Sequence, residues 1–434
     1  MRAGAAEAVI TPEVGVRLLG PVRRSTGVND DLFARALVLN DGEMAIALVC
    51  LDLVGLDLSH SDEIRAAVTA RTGIRTVLLN CSHTHSAPFT IPWGKLWWDE
   101  FQAEGKVWHE RLRDTVAEVV SQAANSGREV GLRVGRAPVS VGVNRRLVVD
   151  GECVMALNPD GPVAPWVDVL RVDGADGVPA AVLLSHAAHP VIVHESSSEI
   201  SADYPGYATA AVRERLGDDT VALFAQGCGA DINGEPLRGG IEAAMEAGAR
   251  LGDAVMDAAE SSESVGKPRV AVVTETLQLE LQDPPRREEV EAALGSLEER
   301  AKSEDDQLGW LRNRILCVQD LLTKVRQGER RTLRFEVNAV GLGSDLCLLA
   351  MPHEVFAEYQ LWAVKESPFR HTIVWGYTNG CESYVPTEAA FSVGGYEAAP
   401  YGAALYYPYR LPLEPTVEGQ IKDAVRQLWK RFVV

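Results

Sequence analysis

Two rhythms of apolar and polar positions alternate along the chain. Residues 36–54 (ALVLNDGEMAIALVCLDLV) read as two strands joined by a turn at Asn40-Asp41-Gly42. Residues 59–72 are expected to be helical, capped by Ser59 or Ser61. Ile74–Asn80 is a buried strand that runs straight into Cys81-Ser82-His83-Thr84-His85-Ser86. Over 99–125 the period becomes helical, with Phe101, Trp108, Leu112, Val116 and Val119/Val120 on one face. Strands are expected at 130–141, at 166–172 and from Val182 to His186. A helix at Tyr207–Leu216, a strand at Thr220–Phe224 and a helix at Gly240–Ala259 follow. Residues 284–330 are rich in charge and predict a surface hairpin of two helices, the most separable part of the chain. Strands return at 332–351, and an amphipathic helix at 416–431 closes the sequence. The alternation predicts a mixed α/β architecture of central β-sheets flanked by helices. With 434 residues and no repeat or linker, the preferred organisation is one domain over 1–434 with a helical insertion at about 284–330.

Composition narrows the function classes. Hydrophobic residues at 46% and charged residues at 24% exclude a disordered or fibrous chain. A formal charge of −19 disfavours phosphate backbones and anionic lipid, so neither nucleic-acid binding nor stable membrane association is expected. Apolar runs such as Ala45–Leu51 fall far short of the roughly 20 residues of a membrane span. The start, MRAGAAEAVITPEVG, lacks the apolar stretch of a signal peptide, which makes a cytoplasmic location the expectation. Seven scattered cysteines (50, 81, 153, 228, 317, 347, 381) contain no CxxC and read as reduced thiols, not as a disulfide framework or a cysteine zinc site. The oligomeric state is left open.

The chemistry concentrates in two histidine clusters. In Ser82-His83-Thr84-His85-Ser86, a strand continuing through the motif would point His83 and His85 to one face, where both can meet a metal, or one can bind it while the other moves protons. Capping or surface histidines are the ordinary alternative. Ser185-His186-Ala187-Ala188-His189-Pro190, with His194 beyond, also follows an apolar strand, and Pro190 ends it. Two such clusters at distant strand ends suggest one shared site, at which zinc would need three or four ligands. Taken alone, Glu354 reads as an acid at a solvated helix start and Tyr396 as a packed aromatic. Asp52, at a strand end, either orients a ligand histidine from behind or caps a turn.

Ordered segments along nearly the whole chain resemble the catalytic domain of the neutral/alkaline, non-lysosomal ceramidases. They are GAAEAVITPEVG, DDLFARALVL (30–39), CSHTHSAP (81–88), VNRR (143–146), SHAAHP (185–190) and SADYPGYA (201–208). QGCGADIN (226–233), MPHEVFAEY (351–359) and NGCESYVPTEAAFSVGGYE (379–397) complete the series. The resemblance implies a zinc-dependent amidase with metal ligands at His83, His189, Glu354 and Tyr396. His353 stands where the family usually has Gly before the Glu. It also implies a catalytic His85 beside the metal and an Arg145 pointing into the site, suited to an oxyanion or a substrate carboxylate. A further catalytic tyrosine is expected among Tyr401, Tyr406, Tyr407 and Tyr409, and is assigned to Tyr407. His186 and His194 are expected to support the fold or the ligands.

Two departures bear on the substrate. Ceramidases carry a further immunoglobulin-like domain and many have a secretion signal, and neither is seen here. The family's Gly-Asp-Val-Ser-Pro segment reads Ala230-Asp231-Ile232-Asn233-Gly234, so a serine acyl-enzyme is excluded at this position. The expected substrate is therefore a small soluble amide, such as an N-acyl amino compound or a cyclic amide, cleaved by metal-activated water. The alternatives are a zinc hydrolase for an ester, lactone or carbohydrate derivative, and a non-catalytic member of the fold. Trp93-Gly94-Lys95-Leu96-Trp97-Trp98 is either a pocket wall or a loop pinned by tryptophan packing.

Overall fold

The structure, a computed structural model, describes residues 1–19, 23–266, 269–306, 309–328 and 332–432. Strand runs that are apolar at every position need cover on both faces, and the layering supplies it. The largest sheet runs in the order Val221–Gln226, Pro179–His186, Trp166–Gly174, Arg128–Pro138, Arg2–Val9, Phe33–Asn40, Ala45–Leu51, Thr76–Cys81, with Glu263–Ser264 also paired to Arg128–Pro138. Its outer pairs are parallel and its inner ones antiparallel. A second sheet is ordered Val270–Glu280, Thr332–Leu342, Leu346–Ala350, His371–Trp375. Alternate residues of the first sheet, among them Leu37, Leu48, Leu78 and Leu183, meet Val340, Leu342, Leu348 and Trp375 of the second. The intervening residues face helices. Val49, Val77 and Leu79 pack on Leu58–Thr72 and Lys95–Asn125, and Val169, Val182 and Phe224 pack on Asp203–Leu216 and Ile241–Glu260. The outer face of the second sheet, with Phe335, Val337 and Leu349, packs on Val417–Lys430. The result is a stack of helices, sheet, sheet and helices.

The two edge strands of the large sheet meet at one end. Asn80, fully buried, accepts from the Gln226 N–H (2.7 Å) and donates from Nδ2 to the Gln226 carbonyl (3.2 Å) and the Gly376 carbonyl (2.8 Å). Both histidine clusters start from this junction.

Several local expectations change. Asp57, not Ser59 or Ser61, caps Leu58–Thr72, its carboxylate accepting from the His60 N–H at 2.8 Å. The helix expected over 99–125 begins at Lys95, after Gly94 at φ 78°. The strand expected over 130–141 ends at Pro138, and a new one, Gly142–Val149, pairs elsewhere. The helix expected from Tyr207 begins at Asp203.

The helical hairpin is Arg287–Arg300 and Trp310–Gln327. The two helices expected at 284–330 form at the surface, and their inner face is packed against the rest of the chain. Val290, Leu297, Leu311, Val318 and Leu321 are buried in the same apolar cluster as Trp93 and Tyr407. Asp320 of the hairpin accepts from Arg410 Nε at 2.8 Å, and Arg410 Nη1 donates to the carbonyls of Leu405, Tyr406 and Tyr407 at 3.1, 2.9 and 3.0 Å. This buried guanidinium gathers the turn that carries Tyr407. Arg410→Met leaves these carbonyls short of a donor and is expected to lower unfolding free energy by about 2–3 kcal/mol in denaturant titration. A loss under about 0.5 kcal/mol would show that the turn keeps its shape without the cation.

Candidate metal and catalytic site

The strand Thr76–Cys81 ends before the first histidine motif, so strand alternation does not align His83 and His85. His83 turns the chain in the left-handed region (φ 69°), and its N–H donates to the Leu53 carbonyl at 2.8 Å. Its ring Nδ1 faces the Val54 carbonyl, which requires a proton there and leaves Nε2 with a lone pair. His189 is built the same way. Its N–H donates to the Ile232 carbonyl (2.9 Å) and its Nδ1 to the Gly229 carbonyl (2.7 Å), and Nε2 has no partner.

Glu354 follows the strand Leu346–Ala350 and is 2% exposed, so the solvated helix start is overturned. Its N–H donates to the Ser383 carbonyl at 3.0 Å. His353 before it sits at φ 67°, the conformation a glycine adopts freely. Its ring holds that shape: Nε2 bonds the Arg334 carbonyl (2.9 Å) and Nδ1 accepts from the Glu382 N–H (3.1 Å). Tyr407 donates its hydroxyl proton to Glu354 Oε1, and Oε2 has no hydrogen-bond partner. Oε2 lies 3.4 Å from His83 Nε2 and 3.3 Å from His189 Nε2.

Three lone-pair-bearing atoms of buried side chains thus face one another. A tetrahedral ion with bonds of about 2.0–2.1 Å needs ligand atoms about 3.3 Å apart, so the spacing fits a metal. Burial, the largest influence, lowers both His83 and His189 to about 3, which keeps the rings neutral. Burial also raises the Glu354 carboxyl against the pull of His83, so its charge is costly without a cation. His85 Nε2 lies 3.3 Å from His83 Nε2, and the ring nitrogens of His83, His85 and His189 lie within 4.8 Å of one another. The geometry therefore offers two overlapping ligand sets, His83–His189–Glu354 and His83–His85–His189.

Tyr396 lines the same cavity, its ring 5.9 Å from that of Tyr384 and 6.0 Å from the Arg145 guanidinium. Burial raises its phenol despite Arg145. Arg145, on the strand Gly142–Val149, is 6% exposed. It donates to Glu397 (2.8 Å), Asn233 Oδ1 (3.1 Å) and the Tyr384 hydroxyl (3.2 Å). With five N–H groups it keeps two for a ligand. Burial acts to raise Glu397, but Arg145 and Arg146 outweigh it and hold the carboxyl below its ordinary value.

Among the four tyrosines, Tyr407 reaches the cavity. Tyr406 stacks on Trp93, Tyr409 donates to Glu382, and the Tyr401 carbonyl accepts from Arg314. His186 bonds the Trp166 carbonyl and lies away from the centre. His194 lines the cavity, its ring 4.8 Å from that of His85. Asp52 touches neither histidine; it holds Arg35 (2.8 Å) and the Phe33 N–H (3.0 Å), and backbone carbonyls orient the ligand rings instead. Sequence reasoning missed Tyr384 and Glu397, though both lie within the motif 379–397. It also missed Asp203, whose carboxylate accepts from the Val193 N–H (2.8 Å) and fixes the loop that follows His189.

No protein-family model matches the chain, and no curated protein matches its sequence. Among solved structures it is similar to neutral ceramidase from Pseudomonas aeruginosa, with TM-score 0.68 and 19% identity over 94% of this chain and 72% of that one. A ceramidase complexed with C2 gives TM-score 0.68 and 19% identity over 96% of this chain and 75% of the other. At that identity the likeness is one of fold, and the fold of this chain is neutral-ceramidase-like, as its ordered motifs imply.

Proposed function

We propose that the chain is a zinc-dependent hydrolase that cleaves an amide bond with water. The observation that carries the reading is the convergence of His83 Nε2, His189 Nε2 and Glu354 Oε2 at 3.3–3.4 Å, with both Nδ1 atoms committed to carbonyls. Two imidazoles, a carboxylate and the nearby Tyr396 phenol form a nitrogen-and-oxygen donor set that suits zinc. A zinc ion held there supplies Lewis acidity and lowers the pKa of water toward neutrality. The neutral-ceramidase-like fold supports an amide as the bond cleaved.

The chain's own residues account for the rest of the reaction. The oxygen of water bonds to the carbonyl carbon, the C–N bond breaks, and the nitrogen leaves with a proton. His85, beside His83 and free of a carbonyl partner at Nδ1, is placed to take that proton and return it. The two spare N–H groups of Arg145 suit the charge that develops on the carbonyl oxygen. The Tyr384 hydroxyl and Glu397 hold its plane, and Tyr407 fixes the Glu354 carboxylate. Asn233 accepts from Arg145 and has no nucleophilic oxygen, consistent with direct attack by water.

Zinc per chain, measured by elemental analysis of purified variants, tests the ligand set. His83→Ala and His189→Ala are each expected to drop from about one zinc to a tenth or less and to lose turnover of a small N-acyl amide. His85→Ala is expected to keep its zinc and lose roughly 10²–10⁴-fold in kcat. An empty site in His85→Ala, with Glu354→Gln still loaded, would assign the three-histidine set instead. A metal-free wild type that stays fully active would end the zinc reading.

A further inference from the structure

We infer that the cavity takes only amides whose apolar arm is compact, and that Trp93 and Trp310 set the limit. The inference rests on the hydrolase reading for the position of the scissile bond. The cavity beside His83 and Glu354 measures about 320 Å³, at the small end of ligand pockets. Leu19, Ile91, Trp93 and Trp310 form one apolar wall, and Met155, Val191 and Leu237 line the opposite, more open side. Trp93 stacks on Trp97 (5.4 Å, 23°) and on Tyr406 (4.8 Å, 29°). Trp310, the first residue of the second hairpin helix, stands edge-on to Trp93 (5.6 Å, 88°) and Trp97 (4.8 Å, 83°).

The wall is fixed from behind. Asn313, one turn beyond Trp310 and fully buried, accepts from the Leu96 N–H at 2.9 Å. A side chain at Gly94 would come within 2.6 Å of Asn313, so loop and helix are in close contact. The Gly94 N–H donates to the Tyr406 carbonyl at 2.7 Å. Opening the wall requires the interlocked rings and these bonds to move together. A short, branched or flat group can stack on the indoles, whereas a long linear chain laid on that wall must force them apart, as overpacking does. The wall residue Trp310 comes from the helical hairpin, so the hairpin determines substrate size.

The test is a chain-length series of N-acyl-4-nitroanilides from acetyl to dodecanoyl, with phenylacetyl included. A matching series of N-acetyl alkylamines is run because either arm can lie on the wall. Wild type is expected to favour arms of up to about six carbons over twelve by tenfold or more in kcat/KM. Trp310→Ala is expected to raise the twelve-to-four-carbon ratio by about tenfold, with Trp310→Phe in between. Flat profiles in both series, or a ratio unmoved in both variants, would overturn the inference. If Trp310→Ala fails to fold, the ratio in Trp310→Phe decides. If no amide is cleaved, the hydrolase reading falls, and calorimetric binding of butyric against dodecanoic acid judges the wall alone. Equal affinity for the two acids in wild type would overturn it.

Discussion

Asn80 joins the two edges of the large sheet, and the site depends on that junction. The strands Thr76–Cys81 and Val221–Gln226 lie at opposite ends of the strand order, and a twisted sheet tends to carry its edges apart. The buried carboxamide bonds both backbone groups of Gln226 and donates to the carbonyl of Gly376, the residue after the second sheet's edge strand His371–Trp375. Gln226 passes the tie on, its Nε2 donating to the Ala188 carbonyl at 2.6 Å, directly before His189. Tyr204 donates to the same carbonyl at 2.6 Å. His83, three residues after Asn80, and His189, one residue after Ala188, are thereby placed from opposite ends of one sheet onto a common point.

At that point, orientation comes from backbone carbonyls and not from acids. A carboxylate behind each ring would add charge to a pocket that already holds Glu354 and Glu397. The Val54 and Gly229 carbonyls fix the tautomers without that cost. Glu397 is neutralised by Arg145 and Arg146. Arg145 in turn keeps a charge that is held in place yet not spent, because three of its five N–H groups are bonded. His83 and His189 are each oriented by one backbone carbonyl, and Arg145 by three side chains.

How much of this is legible in the sequence depends on the range of the interaction. The strand runs and the helices at 241–260 and 417–430 follow from periodicity, because one local pattern decides which face is buried. The histidine clusters are visible as strand-end motifs. Glu354, Tyr396 and Tyr407 become site residues only by resemblance, since a single acid or phenol carries no local signal. The two helices of the hairpin, Arg287–Arg300 and Trp310–Gln327, are legible, but what their inner face packs against is not. Their charged outer positions dominate the composition, while Leu311, Val318 and Leu321 make long-range contacts that no local rhythm encodes. The alignment of His83 with His85 is reached for the wrong reason: a left-handed turn at His83, not strand alternation, brings the rings together.

That turn belongs to a wider pattern of backbone strain around the site. His83, His194, Asp203, Arg238, His353, Tyr377 and Asn379 all have positive φ, at 69°, 35°, 57°, 58°, 67°, 48° and 62°. Such residues persist only where surrounding bonds over-determine them, and one of those bonds joins two of the strained residues directly. Tyr377 N–H donates to the His353 carbonyl at 3.0 Å, and Asn379 accepts from the Leu79 N–H and donates back to the Leu79 carbonyl, both at 2.9 Å. Asp203 holds the Val193 N–H beside His194. The turns at His353 and Tyr377 are tied to each other, and that at Asn379 is tied to the strand that carries Asn80. The same hydrogen bonds that tolerate the strain at His83 and His353 therefore also help set the spacing of His83 Nε2, His189 Nε2 and Glu354 Oε2.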